Sequence, residues 1–251
     1  MSVYVFLGPT LPVEQARSIL DAEYLPPVKM GDVYSLMKEQ PRAIGIIDGV
    51  FEQVPAVWHK EILYAMSHGV RVYGASSMGA LRAAELCSFG MEGVGRIFES
   101  FRDGVLEDDD EVAVTHASAE FGYRQTSEAM VNIREGIRRA LDGDLIQMTT
   151  AEALLAEAKN VFYPRRSWPG IQEAGARLGL PVEELARLKA FITAERPNLK
   201  RDDAVAMLRH MAEASDAPHR PNFEFEPAYA WRVLRQRLAT ASQNISSLAH
   251  S

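Results

Sequence analysis

Cysteine is nearly absent: Cys87 stands alone in 251 residues, so no disulfide can form within the chain and a reducing, cytoplasmic location is expected. No charged-then-apolar leader opens the chain, and no apolar run reaches the roughly 20 residues of a membrane span, so neither export nor a membrane partner is expected. Basic residues are also in short supply. The 27 Lys and Arg against 34 Asp and Glu leave a net charge of −7, which argues against a broad phosphate-binding face and against nucleic acid. Arg134, Arg138, Arg139, Arg165 and Arg166 could make a local basic patch, but such charges ordinarily lie on solvated helix faces.

Missing too are the familiar phosphate cradles. There is no Gly-Lys-Ser/Thr loop, and the three spaced glycines of a dinucleotide fold do not follow the first apolar run. A magnesium site of the phospho-receiver kind would need an acidic pair after that run, which is not written here. His116, Asp108, Asp109 and Asp110 lack metal-ligand spacing. Neither metal nor cofactor is expected.

What is present is ample apolar material, 47% of the chain, enough for a sizeable core. The first ninety residues alternate short apolar runs with helix-like stretches: strands are expected over 3–7, 23–28, 43–48 and 70–75, and helices over 13–20, 31–37 and 56–67, with another after Ser77. Strands separated by helices of this length form a parallel sheet covered on both faces. The expected fold class is therefore α/β, a small mostly parallel sheet flanked by helices and followed by a helix-rich C-terminal region. Helices are expected there over 125–141, 150–161, 171–178, 182–193 and 202–214, with Pro164, Pro169, Pro181 and Pro197 as boundaries. The division reads as an α/β core at 1–120, a helical region at 121–216 and a linker, short helix and frayed tail at 217–251. In that last part 218–227 looks like the linker, 231–238 the helix, and the chain from Thr240 the frayed end.

In such a sheet ligands gather at the carboxyl ends of the strands. Three chemically notable segments fall on that edge: Gly8-Pro9-Thr10, Asp48-Gly49 and Ser76-Ser77. Around Ser77 the pattern is small-x-Ser-x-Gly, a turn that holds a hydroxyl at a strand end with helix amides directed at it. An oxyanion could be held there by the amides of Met78 and Gly8, with Gly79 completing the turn; Pro9 has no amide to give. The hydroxyl needs a base. The helix before this strand offers His59 and Lys60, and Lys29 is a rival; a lysine would serve only if burial destabilised its ammonium.

The runs Val5-Phe6-Leu7-Gly8-Pro9-Thr10, Ile47-Asp48-Gly49-Val50-Phe51, Val57-Trp58-His59-Lys60-Glu61-Ile62-Leu63 and Gly74-Ala75-Ser76-Ser77-Met78-Gly79-Ala80-Leu81-Arg82 closely resemble the TfuA-like family. Phe89-Gly90-Met91-Glu92-Gly93-Val94-Gly95 and Ser127-Glu128-Ala129-Met130-Val131-Asn132-Ile133-Arg134 extend the resemblance over roughly residues 3–140. The resemblance implies a sulfur-delivery partner of a YcaO-type enzyme that converts a backbone amide of a peptide or protein into a thioamide. It further implies hydrolysis of the thiocarboxylate terminus of a ThiS-like sulfur carrier by a Ser-Lys pair. Carried onto this chain, the serine is Ser77 and the lysine Lys60, with Gly8, Thr10, Asp48, His59, Met78 and Gly79 as pocket or oxyanion residues. Two other readings remain open: a non-catalytic adaptor that holds the YcaO enzyme and its peptide, and a lysine-free esterase using His59.

Overall fold

The computed structural model describes residues 2–51, 54–214 and 217–248, the last eight of these by backbone alone. In chain order the elements are β1 (Val3–Phe6), α1 (Val13–Arg17), β2 (Glu23–Leu25), α2 (Asp32–Leu36), β3 (Ala43–Ile46), α3 (His59–Ser67), β4 (Arg71–Gly74), α4 (Met78–Leu86), β5 (Glu92–Gly93) and α5 (Arg96–Arg102). Six helices follow: α6 (Met130–Asp142), α7 (Met148–Asn160), α8 (Trp168–Arg177), α9 (Val182–Glu195), α10 (Leu199–Glu213) and α11 (Tyr229–Leu248).

The five strands form one all-parallel sheet in the order β2-β1-β3-β4-β5. The expected α/β class holds. β1 and β3 are interior strands, and every residue in both is buried, which is why their sequences read as unbroken apolar runs. β5 is only two residues long, too short for a periodic signal, and was not expected.

Alternation along the strands sorts side chains onto two faces. Tyr4, Phe6, Ile44, Ile46 and Val72 pack with α3 and α4 on one side, through Ile62, Ala65, Met66, Ala80 and Ala83. Val3, Val5, Leu7, Ala43 and Tyr73 face α1 and α10 on the other, meeting Ala16, Ala204, Met207, Leu208 and Met211. Helices α6 to α9 bury their apolar faces in a core of their own, built on Ile133, Ile137, Leu154, Ile171 and Leu188. The chain then leaves that bundle, and α10 returns to cover the sheet. It comes close at Gly45 of β3, where a Cβ would lie 2.9 Å from Met211 Sδ.

Several helix boundaries differ from the periodicity, each for a local reason. α3 starts at His59 rather than at residue 56, because Trp58 is the extended N-cap residue and its amide is taken by the Glu61 carboxylate at 3.2 Å. α6 starts at Met130 rather than at residue 125; residues 115–126 instead fold back on themselves, with His116 bridging Gln125 and Ala117 N–H donating to Arg124. α8 takes in Pro169 at its first turn, capped by Ser167, so that proline lies inside a helix. α10 starts at Leu199, with Asn198 as N-cap accepting from the Arg201 amide. The helix expected over 231–238 extends through α11 to Leu248, where a frayed end was expected from Thr240; residues 249–251 of that expectation lie outside the described residues.

Among the described residues no helix is long and apolar enough to cross a membrane.

Candidate active site

The strand order changes direction between β1 and β3, and in open parallel sheets that switch point is where ligands bind. Asp48 lies just beyond β3 at this point and is 2% exposed. Its Oδ2 accepts from the amides of Gly8 (2.9 Å) and Thr10 (3.1 Å), while Oδ1 accepts from Thr10 Oγ1 at 2.7 Å. The carboxylate thus ties the turn after β1 to the end of β3. One consequence corrects the sequence reading: the Gly8 amide, expected as an oxyanion donor, is occupied by Asp48.

Ser77 follows β4 and is the N-cap residue of α4, at φ −122° and ψ −121°. Serine at this position ordinarily turns its oxygen onto the helix amides. Here it does not, and the hydroxyl is left for other partners. Immediately before it, Ser76 has φ +70°, a left-handed conformation that costs a non-glycine residue energy and marks a turn held by its surroundings. Ser76 is buried and donates toward Thr10 Oγ1 at 3.5 Å, so the two adjacent hydroxyls serve different neighbours. Met78 opens α4, where an amide has no carbonyl four residues back in the helix. Gly79 lies in the same turn against β3.

The partner of Ser77 is Lys200. Its Nζ lies 3.1 Å from Ser77 Oγ and donates to the Val112 carbonyl at 2.8 Å. Ser77 and Lys200 are 2% and 1% exposed. Burial pushes the lysine pKa down from its ordinary value, against the opposing pull of Asp48 and Glu128. Taking an ammonium into a low-dielectric interior costs several kcal/mol, so burial shifts the balance toward the neutral amine. In the neutral amine Val112 holds one N–H, which leaves a lone pair for the Ser77 hydroxyl to donate to. Lys200 also stands in the first turn of α10, whose positive dipole end disfavours a cation.

A chain of contacts fixes that turn. The Lys200 amide donates to Asn132 Oδ1 at 3.1 Å, and Asn132 Nδ2 donates to Glu128 Oε1 at 2.8 Å. Glu128 also accepts from Gln125 Nε2 at 3.2 Å, and burial raises its pKa despite these donors. Three residues beyond Lys200 along α10, Asp203 accepts from the Ile97 amide at 2.8 Å and so caps α5. Burial raises Asp203 to about 6 from 3.8. A carboxyl shifted this way favours the folded state fully below its unfolded pKa, and that contribution is lost as pH rises through about 6. Asp203→Asn is therefore expected to flatten the change in melting temperature between about pH 4 and 6, measured by thermal denaturation across that range.

Of the lysines and histidine singled out from sequence, none meets Ser77. Lys60 and Tyr64 share a stripe of α3 that faces the C-terminal segment: Lys60 Nζ donates to the Glu226 carbonyl at 3.1 Å and lies 5.5 Å from the Phe225 ring centre. His59 Nε2 pairs with Glu85 at 2.7 Å, with both side chains well exposed. Lys29 pairs with Asp32 at the surface, 3.3 Å away. Asp48, Thr10, Met78, Gly79 and Ser77 do converge at the switch point.

Ser77 opens onto a cavity of about 30 Å³ that Asp48, Gly49, Phe51, His116 and Tyr163 also line. That is room for little more than one or two water-sized groups. A larger cleft of about 490 Å³, lined by Met78, Leu81, Arg82, Glu85 and Asp109, shares Val50, Phe51 and Tyr163 with it. Among the described residues no cluster of three His, Cys, Asp or Glu side chains is placed to hold a metal.

No curated protein matches the chain. Among solved structures, the RcsB response regulator of Salmonella typhimurium, studied for its conformational dynamism in DNA interaction, aligns at 11% identity over 84% of this chain and 98% of that one. Its TM-score is 0.22. The model of the TfuA-like protein family matches residues 48–167, a span that holds Asp48 and Ser77 and stops short of Lys200. Over residues 48–167 the chain belongs to the TfuA-like family.

Proposed function

We propose that the chain is a Ser-Lys hydrolase that releases sulfide from the thiocarboxylate terminus of a ThiS-like carrier for a YcaO-type enzyme modifying a peptide or protein. The partners in this reading rest on the family membership; the chemistry rests on one contact, the buried 3.1 Å approach of Lys200 Nζ to Ser77 Oγ. Lysine replaces the more usual histidine as base, and only its neutral form can accept the serine proton.

In the first half-reaction Ser77 Oγ bonds to the thiocarboxylate carbon as its proton passes to Lys200. The Met78 amide, in the first turn of α4, is the oxyanion donor in this reading. The C–S bond then breaks and sulfur departs with the bonding electron pair, leaving the carrier esterified to Ser77. In the second, water replaces Ser77 on the acyl carbon and Lys200 returns the proton to the serine oxygen. The small cavity suits this sequence, since it leaves room for sulfide or water beside the serine.

Ser77→Ala tests the reading directly. Sulfide release from a thiocarboxylated carrier should fall to background, while binding to the YcaO enzyme and the melting curve stay as in the native chain. An adaptor would keep supporting thioamidation without the hydroxyl. Full activity in the alanine variant would decide for the adaptor.

A further inference from the structure

The serine has two sides. Lys200 meets it from within the protein and is not among the residues lining the cavity on the other side. Yet that second side is where sulfur leaves and water enters. At neutral pH a thiocarboxylate is already an anion, and its sulfur cannot depart as the doubly charged sulfide; it needs a proton before the C–S bond breaks. A buried amine facing the serine oxygen does not supply a donor at that position.

Titratable groups on the cavity wall are Asp48, Tyr163 and His116. Asp48 is committed to Gly8 and Thr10 through both of its oxygens. Tyr163 is a phenol, with an ordinary pKa of about 10, and makes a poor acceptor for a water proton near neutrality. His116 is different. Its Nδ1 lies 2.8 Å from the Ala117 carbonyl, and a carbonyl only accepts, so Nδ1 carries a hydrogen. In the neutral ring the lone pair is then on Nε2, the form suited to general-base work; in the protonated ring Nε2 becomes a donor.

The fold holds this ring in place from three directions. Residues on either side are paired across the 115–126 excursion, Ala117 N–H to the Arg124 carbonyl and Thr126 N–H to the Thr115 carbonyl, both within 2.9 Å. Tyr123 packs edge-on against the imidazole with ring centres 5.6 Å apart. The excursion is fastened at its base by Gln125 Nε2, which donates to Glu128, the same carboxyl that holds Asn132 beneath Lys200. One side chain thus braces the two arms that flank Ser77.

Resting on the hydrolase reading above, we propose that His116 is the proton carrier of the cavity side, giving a proton to the departing sulfur and then taking one from the incoming water. In acylation the serine proton goes to Lys200 and the His116 Nε2 proton goes to sulfur. The products are hydrosulfide, the acyl-serine, protonated Lys200 and neutral His116, and charge is conserved. In deacylation neutral His116 accepts a proton from water as its oxygen bonds to the acyl carbon. Protonated Lys200 returns its proton to Ser77 Oγ as that bond breaks. Both side chains end in their starting forms, and the net reaction is thiocarboxylate plus water to carboxylic acid plus hydrosulfide.

The two roles separate with a leaving group that needs no proton. His116→Gln is compared with the native chain in two assays: stopped-flow release of p-nitrophenolate from p-nitrophenyl acetate, and sulfide release from a thiocarboxylated carrier. With the ester, the variant should keep the initial burst and lose roughly a hundredfold in the steady rate that follows, with acetyl-Ser77 accumulating in the intact-protein mass spectrum. With the carrier, the first turnover itself should slow by a similar factor. Loss of the burst in proportion to the steady rate would make His116 a merely structural residue, and unchanged rates in either assay would remove it from the reaction. A native chain that hydrolyses the ester and leaves the thiocarboxylate intact would sink the carrier reading while the ester assay still decides His116. No reaction with either reagent would remove the nucleophile and this role together.

Discussion

Lys200→Met is expected to lower sulfide release by roughly 10²- to 10⁴-fold, the ordinary contribution of a general base. Lys60→Met, in the same assay, should stay within about twofold of the native chain. The contrast follows from where the two ammonium groups lie. Lys60 is spent on a backbone carbonyl and an aromatic ring of the C-terminal segment, whereas Lys200 touches the serine oxygen. Methionine keeps the length and apolar contacts of the lysine stem, so the variant should fold. It removes a buried amine, which favours the folded state, and deprives the Val112 carbonyl of a donor, which does not; these effects oppose one another. Lys200→Arg is the sharper control, since a guanidinium cannot lose its proton in a protein and should be as inactive as methionine.

The pH profile carries the same signature with a definite sign. Because burial lowers the Lys200 pKa, the neutral base is present below the ordinary lysine range of about 10.4, and the activity profile should carry a rising limb as that proton is lost. The stability linkage runs the same way. A base with a depressed folded pKa binds fewer protons folded than unfolded, so its contribution grows as pH rises from the depressed value toward the unfolded one. In Lys200→Met both dependences should vanish together, as measured by rate and by denaturant midpoint across the alkaline range.

The contrast between the two lysines also shows what the sequence made legible. The sheet was readable because 3–7 and 43–48 are short apolar runs closed by turn residues, as fully buried parallel strands require. Ser77 was readable because its small neighbours and Gly79 form a recognisable turn. Its partner lies 123 residues further on, and no local pattern reports such a distance. A signal was nonetheless present. With Asn198 as N-cap after Pro197, Lys200 falls on the stripe of Ala204, Met207, Leu208 and Met211, all of them buried. A lysine in line with an apolar stripe is a lysine under a core. Starting the helix at residue 202 instead hid that alignment. Lys60 shows the opposite setting, since Tyr64 and His68 continue its row along the outer side of α3 and its C-cap. For His116 no comparable pattern exists: it lies in an irregular excursion, and only the folded chain brings it to the cavity that Ser77 also lines.

Gly79→Val should cost a large share of the protein's stability, more than any single change at the reacting groups. A Cβ at this position would lie 1.7 Å from the Ile46 carbonyl oxygen and 2.6 Å from its carbon, inside the backbone of the central strand β3. Both atoms belong to a main chain paired on two sides, with β1 and with β4, so neither can give way without breaking the sheet. The helix would have to lift off instead. Doing so separates the Gly79 amide from the Ile47 carbonyl, now 3.3 Å away, and pulls Ser77 from Lys200. Overpacking against side chains typically costs about 1–3 kcal/mol because rotamers can adjust; a clash with fixed backbone should exceed that, roughly 4 kcal/mol or more. For a fold of ordinary stability, about 5–15 kcal/mol, this is a large share of the whole. Gly79→Ala should follow the same course, since the clash is set by the first side-chain carbon. The expected observation is a melting temperature lowered by many degrees in the alanine variant and little soluble folded protein in the valine one. A native-like melting curve in Gly79→Ala would mean that α4 does not press on β3 this closely, and the strained turn that presents Ser77 would need another cause.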